Sequence, residues 1–207
     1  QGASHAPVCG VSFCRSRAAF PSRAHVVARF ASTCADGNVR VWDVTRAQPS
    51  SYSTEVQPAY VLAHHKERTF SVTWSHIVPC MLAASSDDHS LSVWTLPGSG
   101  SGNTAAHLDA VLLGHTSRVR AVAFSHEIPW LVLSGGWDGA VIAWDVRGGG
   151  RLWRKVLEHA VDVYALAAHP LRPWLLASAS RDNTVRFWAL EEAVAPCLAR
   201  LALLGGG

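Results

Sequence analysis

GHTSRVRAVAFSHEIPWLVLSGGWDGAVIAWDV, residues 114–146, opens on a Gly-His pair and closes around a Trp-Asp pair. Between the pairs lie three short apolar runs, 119–124, 130–133 and 140–144, dominated by Val, Ile, Phe and Trp. Such side chains fit a pleated, half-buried surface. The Ser, Gly, Pro and Asp between them favour tight turns, so the stretch reads as strands joined by turns. His115 precedes Asp138 by 23 residues and Trp144 by 29. The same ruler fits His65, Asp88 and Trp94, and again His159, Asp182 and Trp188, with a partial match at Asp36 and Trp42. Spacing kept this strictly marks a repeat, each unit stacking on its neighbour to bury a face it cannot bury alone.

Composition agrees with a packed chain. Of 207 residues, 49% are hydrophobic and only 16% charged, which is too apolar for a disordered polymer. The net charge is +3, and Lys66 and Lys155 are the only lysines. The arginines are spread without a basic block, so the clustered footprint of a nucleic-acid binder is missing from the sequence. Five cysteines, Cys9, Cys14, Cys34, Cys80 and Cys197, show no paired metal spacing. They read as small buried hydrophobes in a reducing compartment. No apolar run has the length of a membrane span, and no signal-peptide pattern is visible. The expectation is an intracellular, cytoplasmic chain. It opens on Gln1 and not Met, which suggests an excerpt of a longer polypeptide.

Gly-His, then Ser and Asp, then Trp-Asp resembles the WD-repeat β-propeller family over nearly the whole chain. In that family one repeat supplies one four-stranded blade. The resemblance implies an all-β fold with four blades, approximately 4–63, 64–113, 114–158 and 159–204, within a seven-bladed or larger propeller. The first repeat departs most. Ser4 stands where the histidine belongs, His5 follows one place later, and an Arg- and Ser-rich insertion covers roughly 15–23. In the second repeat Ala84 replaces a hydroxyl residue and Thr95 follows Trp94 in place of Asp. The flexible run 97–103 accounts for the longer interval from His65 to His115. The tail, 197–204, is expected to be a last outer strand.

His115, Ser134 and Asp138 have the residue types of a catalytic triad, but a triad needs a free serine oxygen beside a pocket and an oxyanion hole. The set recurs as His159, Ser178 and Asp182, and no enzyme needs one triad per blade. The resemblance implies a structural network in which Trp144 and Trp188 donate to Ser134 and Ser178. The serines in turn bond the histidines, and the histidines bond the aspartates. No metal site and no cofactor are expected, because the remaining histidines share no ligand spacing and the Gly-rich pieces lack strand–loop–helix order.

The resemblance also implies an open rim. It is formed by residues just before the repeat's Asp (Ala35, Asp87, Trp137, Arg181) and those three and five after its His. The latter are Arg68 and Phe70, Arg118 and Arg120, and Asp162 and Tyr164. Arginine and aromatic side chains are favoured at protein-binding hot spots. The expectation is therefore a non-catalytic scaffold whose partners are other proteins or peptides. The alternative is a nucleic-acid or nucleosome-associated module using the arginines of the rim. Four blades of a wide ring would leave the outer flanks of the first and fourth bare. Further blades from the same or another chain, or two copies meeting flank to flank, would cover them.

Overall fold

The computed structural model describes residues 6–14, 29–43, 57–97, 105–157, 159–172 and 175–189. Within them the chain forms β1 (Val8–Phe13), β2 (Arg29–Cys34), β3 (Asn38–Asp43) and β4 (Tyr60–Ala63), paired in that order as the first sheet. The second sheet is β5 (Thr69–Trp74), β6 (Met81–Ser86), β7 (Ser90–Thr95) and β8 (His107–Leu113). The third is β9 (Val119–Phe124), β10 (Leu131–Gly136), β11 (Ala140–Asp145) and β12 (Arg151–Leu157). The fourth comprises β13 (Val163–Ala168), β14 (Leu175–Ser180) and β15 (Val185–Ala189). All pairings are antiparallel. His5, the insertion at 15–23, most of the 97–103 run and the tail strand at 197–204 lie outside the described residues.

The four sheets are blades stacked in chain order, β1 against β5, β5 against β9 and β9 against β13. The third blade is covered on both faces, and every residue of β10 and β11 is buried. That is why its strands read as continuous apolar runs and not as alternating ones. β15 carries the alternation instead, its residues stepping between exposed and half-buried because one face has no neighbour among the described residues. Leu91, Val93 and Leu112 from the second blade share one core with Phe124, Ile142 and Trp144 from the third. The first two blades share another core, built on Val39, Val41, Trp74 and Leu82.

Two local features recur and set up the candidate site. The hairpin after the second strand of each blade needs one residue at positive φ, just after the repeat's Asp. Gly37 and Gly139 fill it, and in the other blades His89 and Asn183 accept φ 70 and φ 62. The innermost strand of each blade has a bulge at the same place. Its register shifts between Val8 and Gly10, Thr69 and Ser71, Val119 and Ala121, and Val163 and Ala165. The unpaired residues are therefore Cys9, Phe70, Arg120 and Tyr164. A bulge re-aims a side chain out of the pleat, and here it turns one residue per blade toward the common end of the stack.

Candidate functional site

The repeated polar residues come together within each blade. In the third blade His115 Nδ1 lies 2.9 Å from Asp138, His115 Nε2 lies 2.7 Å from Ser134 Oγ, and Trp144 Nε1 donates to the same Oγ at 2.7 Å. In the fourth, His159 lies 2.8 Å from Asp182 and 2.6 Å from Ser178, and Trp188 donates to Ser178 at 2.7 Å. The aspartates also accept backbone N–H bonds, Asp138 from Thr116 and Ala140 and Asp182 from Thr184 and Ala160. Each carboxylate thus fastens its hairpin to the loop carrying the histidine. Burial works against the charge on Asp138, but the bonds from His115 and Thr116 outweigh it and hold the carboxyl well below its ordinary range. The Thr184 hydroxyl does most to lower Asp182 in the same way.

The second blade reaches the same end by another route. His65 Nδ1 lies 2.9 Å from Asp88, but its Nε2 meets Ser92 Oγ at 2.8 Å. Ala84 has no oxygen to offer, and Ser92 is its cross-strand partner. Trp94 Nε1 is left buried without a hydrogen-bond partner. Burial opposes the charge on Asp88, yet Ser90 and His65 hold its carboxyl at about 2. Burial also lowers His65, against the pull of Asp88, so its imidazole stays neutral near pH 7. In the first blade Trp42 donates to Ser32 at 2.9 Å. There Asp36 is held by both terminal nitrogens of Arg40, at 2.6 Å and 3.2 Å, and the guanidinium keeps its carboxyl far below the usual range.

The rim residues cluster at the hairpin end of the blades, and the bulges decide how. Arg120 is only 6% exposed. Its guanidinium lies 4.1 Å from the Phe70 ring centroid on one side and 4.4 Å from the Trp137 centroid on the other. Its Nη2 is 3.2 Å from Asp87 Oδ1 and 3.3 Å from Oδ2, only the second in hydrogen-bond geometry. Arg120 Nε, Asp87 Oδ1 and Trp137 Nε1 are buried without hydrogen-bond partners. Arg118 sits over the outer part of the assembly, 5.1 Å from the Trp137 centroid, and Tyr164 meets Trp137 edge-on at 6.4 Å. Arg181 lies 3.6 Å from Asp162 with its side chain 71% exposed. Arg68, Arg118, Tyr164 and Arg181 are thus open to solvent, while Arg120 and Asp87 are interior. Sequence position places Arg120 and Asp87 on the open rim. The structure instead folds them between blades, because the bulge drives Arg120 into the gap between two aromatic rings.

At the opposite end, a cleft of about 420 Å³ opens between the second and third blades, beside Val78, Met81, Pro129, Trp130 and Arg147. Arg147 lies 4.3 Å over the Trp130 ring and forms a 2.6 Å ion pair with Asp145. Nothing in the repeat spacing marks this cleft, since its walls come from turns and strand ends of two blades that meet only after packing. Cys34 and Cys80 are buried, and Cys9 and Cys14 are half-buried, all four as free thiols. Among the described residues no group of His, Cys, Asp and Glu converges in a way that could hold a metal ion. No helix among them is long and apolar enough to cross a membrane.

A family model described as WD domain, G-beta repeat, matches residues 3–43, 107–145 and 151–189. The longest unmatched stretch, 44–106, contains the first three strands of the rerouted second blade. Histone acetyltransferase type B subunit 2 of Aspergillus fumigatus is 34% identical over 73 residues, covering 35% of this chain and 16% of that protein. Polycomb protein EED of Chaetomium thermophilum is 39% identical over 59 residues, covering 28% and 10%. Protein SPA1-RELATED 3 of Arabidopsis thaliana is 33% identical over 72 residues, covering 35% and 8%. The chain therefore spans less than a fifth of each of these relatives. Among solved structures, the computationally designed Ika4 protein superposes with a TM-score of 0.65 at 22% identity, covering 90% of this chain and 93% of that one. That likeness shows the fold.

Proposed function

Because the chain belongs to the WD domain, G-beta repeat family, we propose that it is a non-catalytic scaffold that binds protein partners through its rim and blade edges. The observation that carries this reading is the rim itself. Arg118, Tyr164 and Arg181 are exposed around a rigid base of Phe70, Arg120 and Trp137 locked ring to guanidinium to ring. Pre-ordered Arg and aromatic side chains lose little entropy on contact, which suits a protein-binding hot spot. One relative is by name a subunit of a histone acetyltransferase, which supports a place in multi-protein assemblies. An intracellular location belongs to the same proposal.

Catalysis is a poor fit to the His–Ser–Asp sets. Ser134 is fully buried, and its oxygen lies between the Trp144 indole and His115, so it has no path to a substrate. Nucleic-acid binding is weakened by the state of the arginines. Arg120 is enclosed and ion-paired, and Arg181 faces Asp162, which leaves too little free positive charge for a phosphate track. The runs 127–139, 162–174 and 180–188 resemble WD repeat-containing protein 17, and descent from a longer protein of that kind is part of the proposal. So is a need for further blades, from this polypeptide or another, to cover the flanks.

The test is affinity capture of protein partners by the intact chain and by Arg118→Ala and Arg181→Ala, both at exposed side chains. A loss of about 2 kcal/mol in affinity without a lower melting temperature is expected. Unchanged affinity in both would move the site off the rim, and binding that fell steeply with salt would favour the nucleic-acid alternative.

A further inference from the structure

The junction of the first and second blades holds a cation that the next junction lacks. Arg29 opens β2, and its side chain crosses from the first blade to the second. Its Nη1 donates to the Pro97 carbonyl at 3.0 Å and to Cys80 Sγ at 3.7 Å. The guanidinium lies 5.7 Å from the Tyr60 ring centroid, and Nε is 4.0 Å from Asp43 Oδ2. Arg29 is only 8% exposed. A carbonyl, a carboxylate and an aromatic ring thus enclose a guanidinium between two blades.

Register carries each of these positions to the junction of the second and third blades. Arg29 pairs with Asp43 as Met81 pairs with Thr95, so Met81 is the counterpart of Arg29. Leu96 N–H donates to the Cys80 carbonyl as Val146 N–H donates to that of Trp130. Trp130 and Arg147 therefore stand where Cys80 and Pro97 do. Met81 brings no cationic head group, and the cleft of about 420 Å³ lies between Met81, Val78, Trp130 and Arg147. The carboxylate is kept by another route. Thr95 replaces Asp43, and its hydroxyl donates at 2.6 Å to Asp109 Oδ2, on the cleft wall. Arg147 is neutralised by both oxygens of Asp145, at 2.9 Å and 2.6 Å. The one ionisable partner of Asp109 among the described residues is His107, 2.8 Å away with its side chain 74% exposed. With histidine counted as neutral, a mostly apolar cleft carries one negative charge that no cation balances.

We propose that this cleft takes an arginine side chain of a partner protein, with the guanidinium on Asp109 and the methylene stem along Met81, Val78 and Trp130. The chain supplies that side chain itself at the first junction, as Arg29, and leaves it to a partner at the second. Two carboxylate oxygens suit the planar fork of a guanidinium, and an arginine stem buries readily on apolar walls. The second and third blades each have a neighbouring blade on both faces, so the cleft belongs to the interior of the row. It lies at the end of the blades away from the rim and is a second contact surface, independent of the first.

The experiment is a titration of the isotope-labelled chain with the blocked peptide acetyl-Gly-Arg-Gly-amide, followed by NMR, with circular dichroism as a check on folding. Saturable shifts are expected at the Trp130 indole and at the Asp109 and Gly148 amides. The same peptide with citrulline, which keeps the shape and removes the charge, should bind about tenfold more weakly. Asp109→Asn should weaken the arginine peptide by a similar factor. Met81→Arg should fill the cleft from within, as Arg29 does at the first junction, and abolish the shifts while keeping the fold. If Met81→Arg unfolds, the citrulline and Asp109→Asn arms decide alone. No saturable shift, equal binding of the citrulline peptide, or equal binding of a lysine peptide would overturn the proposal. So would full binding by a folded Met81→Arg. Shifts confined to Arg118 and Trp137 would place the peptide on the rim and overturn the cleft while leaving the rim reading intact.

Discussion

Ala84 and Ser92 face each other across β6 and β7, and the hydroxyl that meets His65 Nε2 comes from Ser92. In the third blade the equivalent pair is Ser134 and Ile142, and the oxygen sits on the other strand. Exchanging which strand carries the oxygen keeps the histidine satisfied but separates the oxygen from Trp94, whose indole N–H is left buried and unmet.

Restoring that acceptor should stabilise the second blade. Ala84→Ser is expected to raise stability by about 1 kcal/mol, the typical net value of one hydrogen bond. Trp94→Phe should cost less than Trp144→Phe, because only the latter breaks an existing bond. Chemical denaturation of the three variants checks this, and a destabilised Ala84→Ser would mean the site has no room for the oxygen.

Asp138→Ala is expected to cost about 1–3 kcal/mol, since it strands the buried imidazole of His115 and two backbone donors. Asp36→Ala should cost under about 1 kcal/mol, because its partner Arg40 is a partly exposed side chain that water can solvate instead. Equal losses at the two sites would contradict the network described above.

Acid should weaken the second blade in a defined window. Asp88 titrates at about 2 in the folded chain and near 3.9 when unfolded. Its contribution is thus complete above about pH 4 and is lost as pH falls through about 2. His65 is lowered by burial, so the unfolded chain takes up its proton first, and stability begins to fall below about pH 6.5. Urea unfolding at stepped pH should show both declines, and Asp88→Asn should flatten the lower one.

Gly139→Ala is expected to lose about 2 kcal/mol or more. The position sits at φ 72, and an added Cβ would lie 2.5 Å from the His159 carbonyl oxygen. His89→Gly, at the equivalent turn where a side chain already fits, should be close to neutral or mildly stabilising. Thermal melts compare them directly.

The spacing of His115, Asp138 and Trp144 made the blades and their strands legible, because hydrogen-bond partners fixed at set intervals leave a trace in linear sequence. Arg120 shows where that legibility ends. Counting from His115 places it on an open surface, and only the bulge opposite Gly135 and Gly136 sends it between Phe70 and Trp137. A bulge depends on how two strands pair, and no single strand announces it. Ser92 was hidden for a related reason. Its role follows from lying across from Ala84, a neighbour eight positions away in sequence but adjacent in the sheet.

The bulged innermost strands, packed in a row from β1 through β5 and β9 to β13, also imply an order of unravelling. β10 and β11 have every residue buried, whereas β1 and β15 have none fully buried. In a stack where each unit is held by its nearest neighbours, the ends open first and the middle last. Amide protons of the third blade should therefore exchange slowest, and those of the first and fourth should exchange earliest. The single chain would then behave less as one switch than as a row of latches released from the outside in.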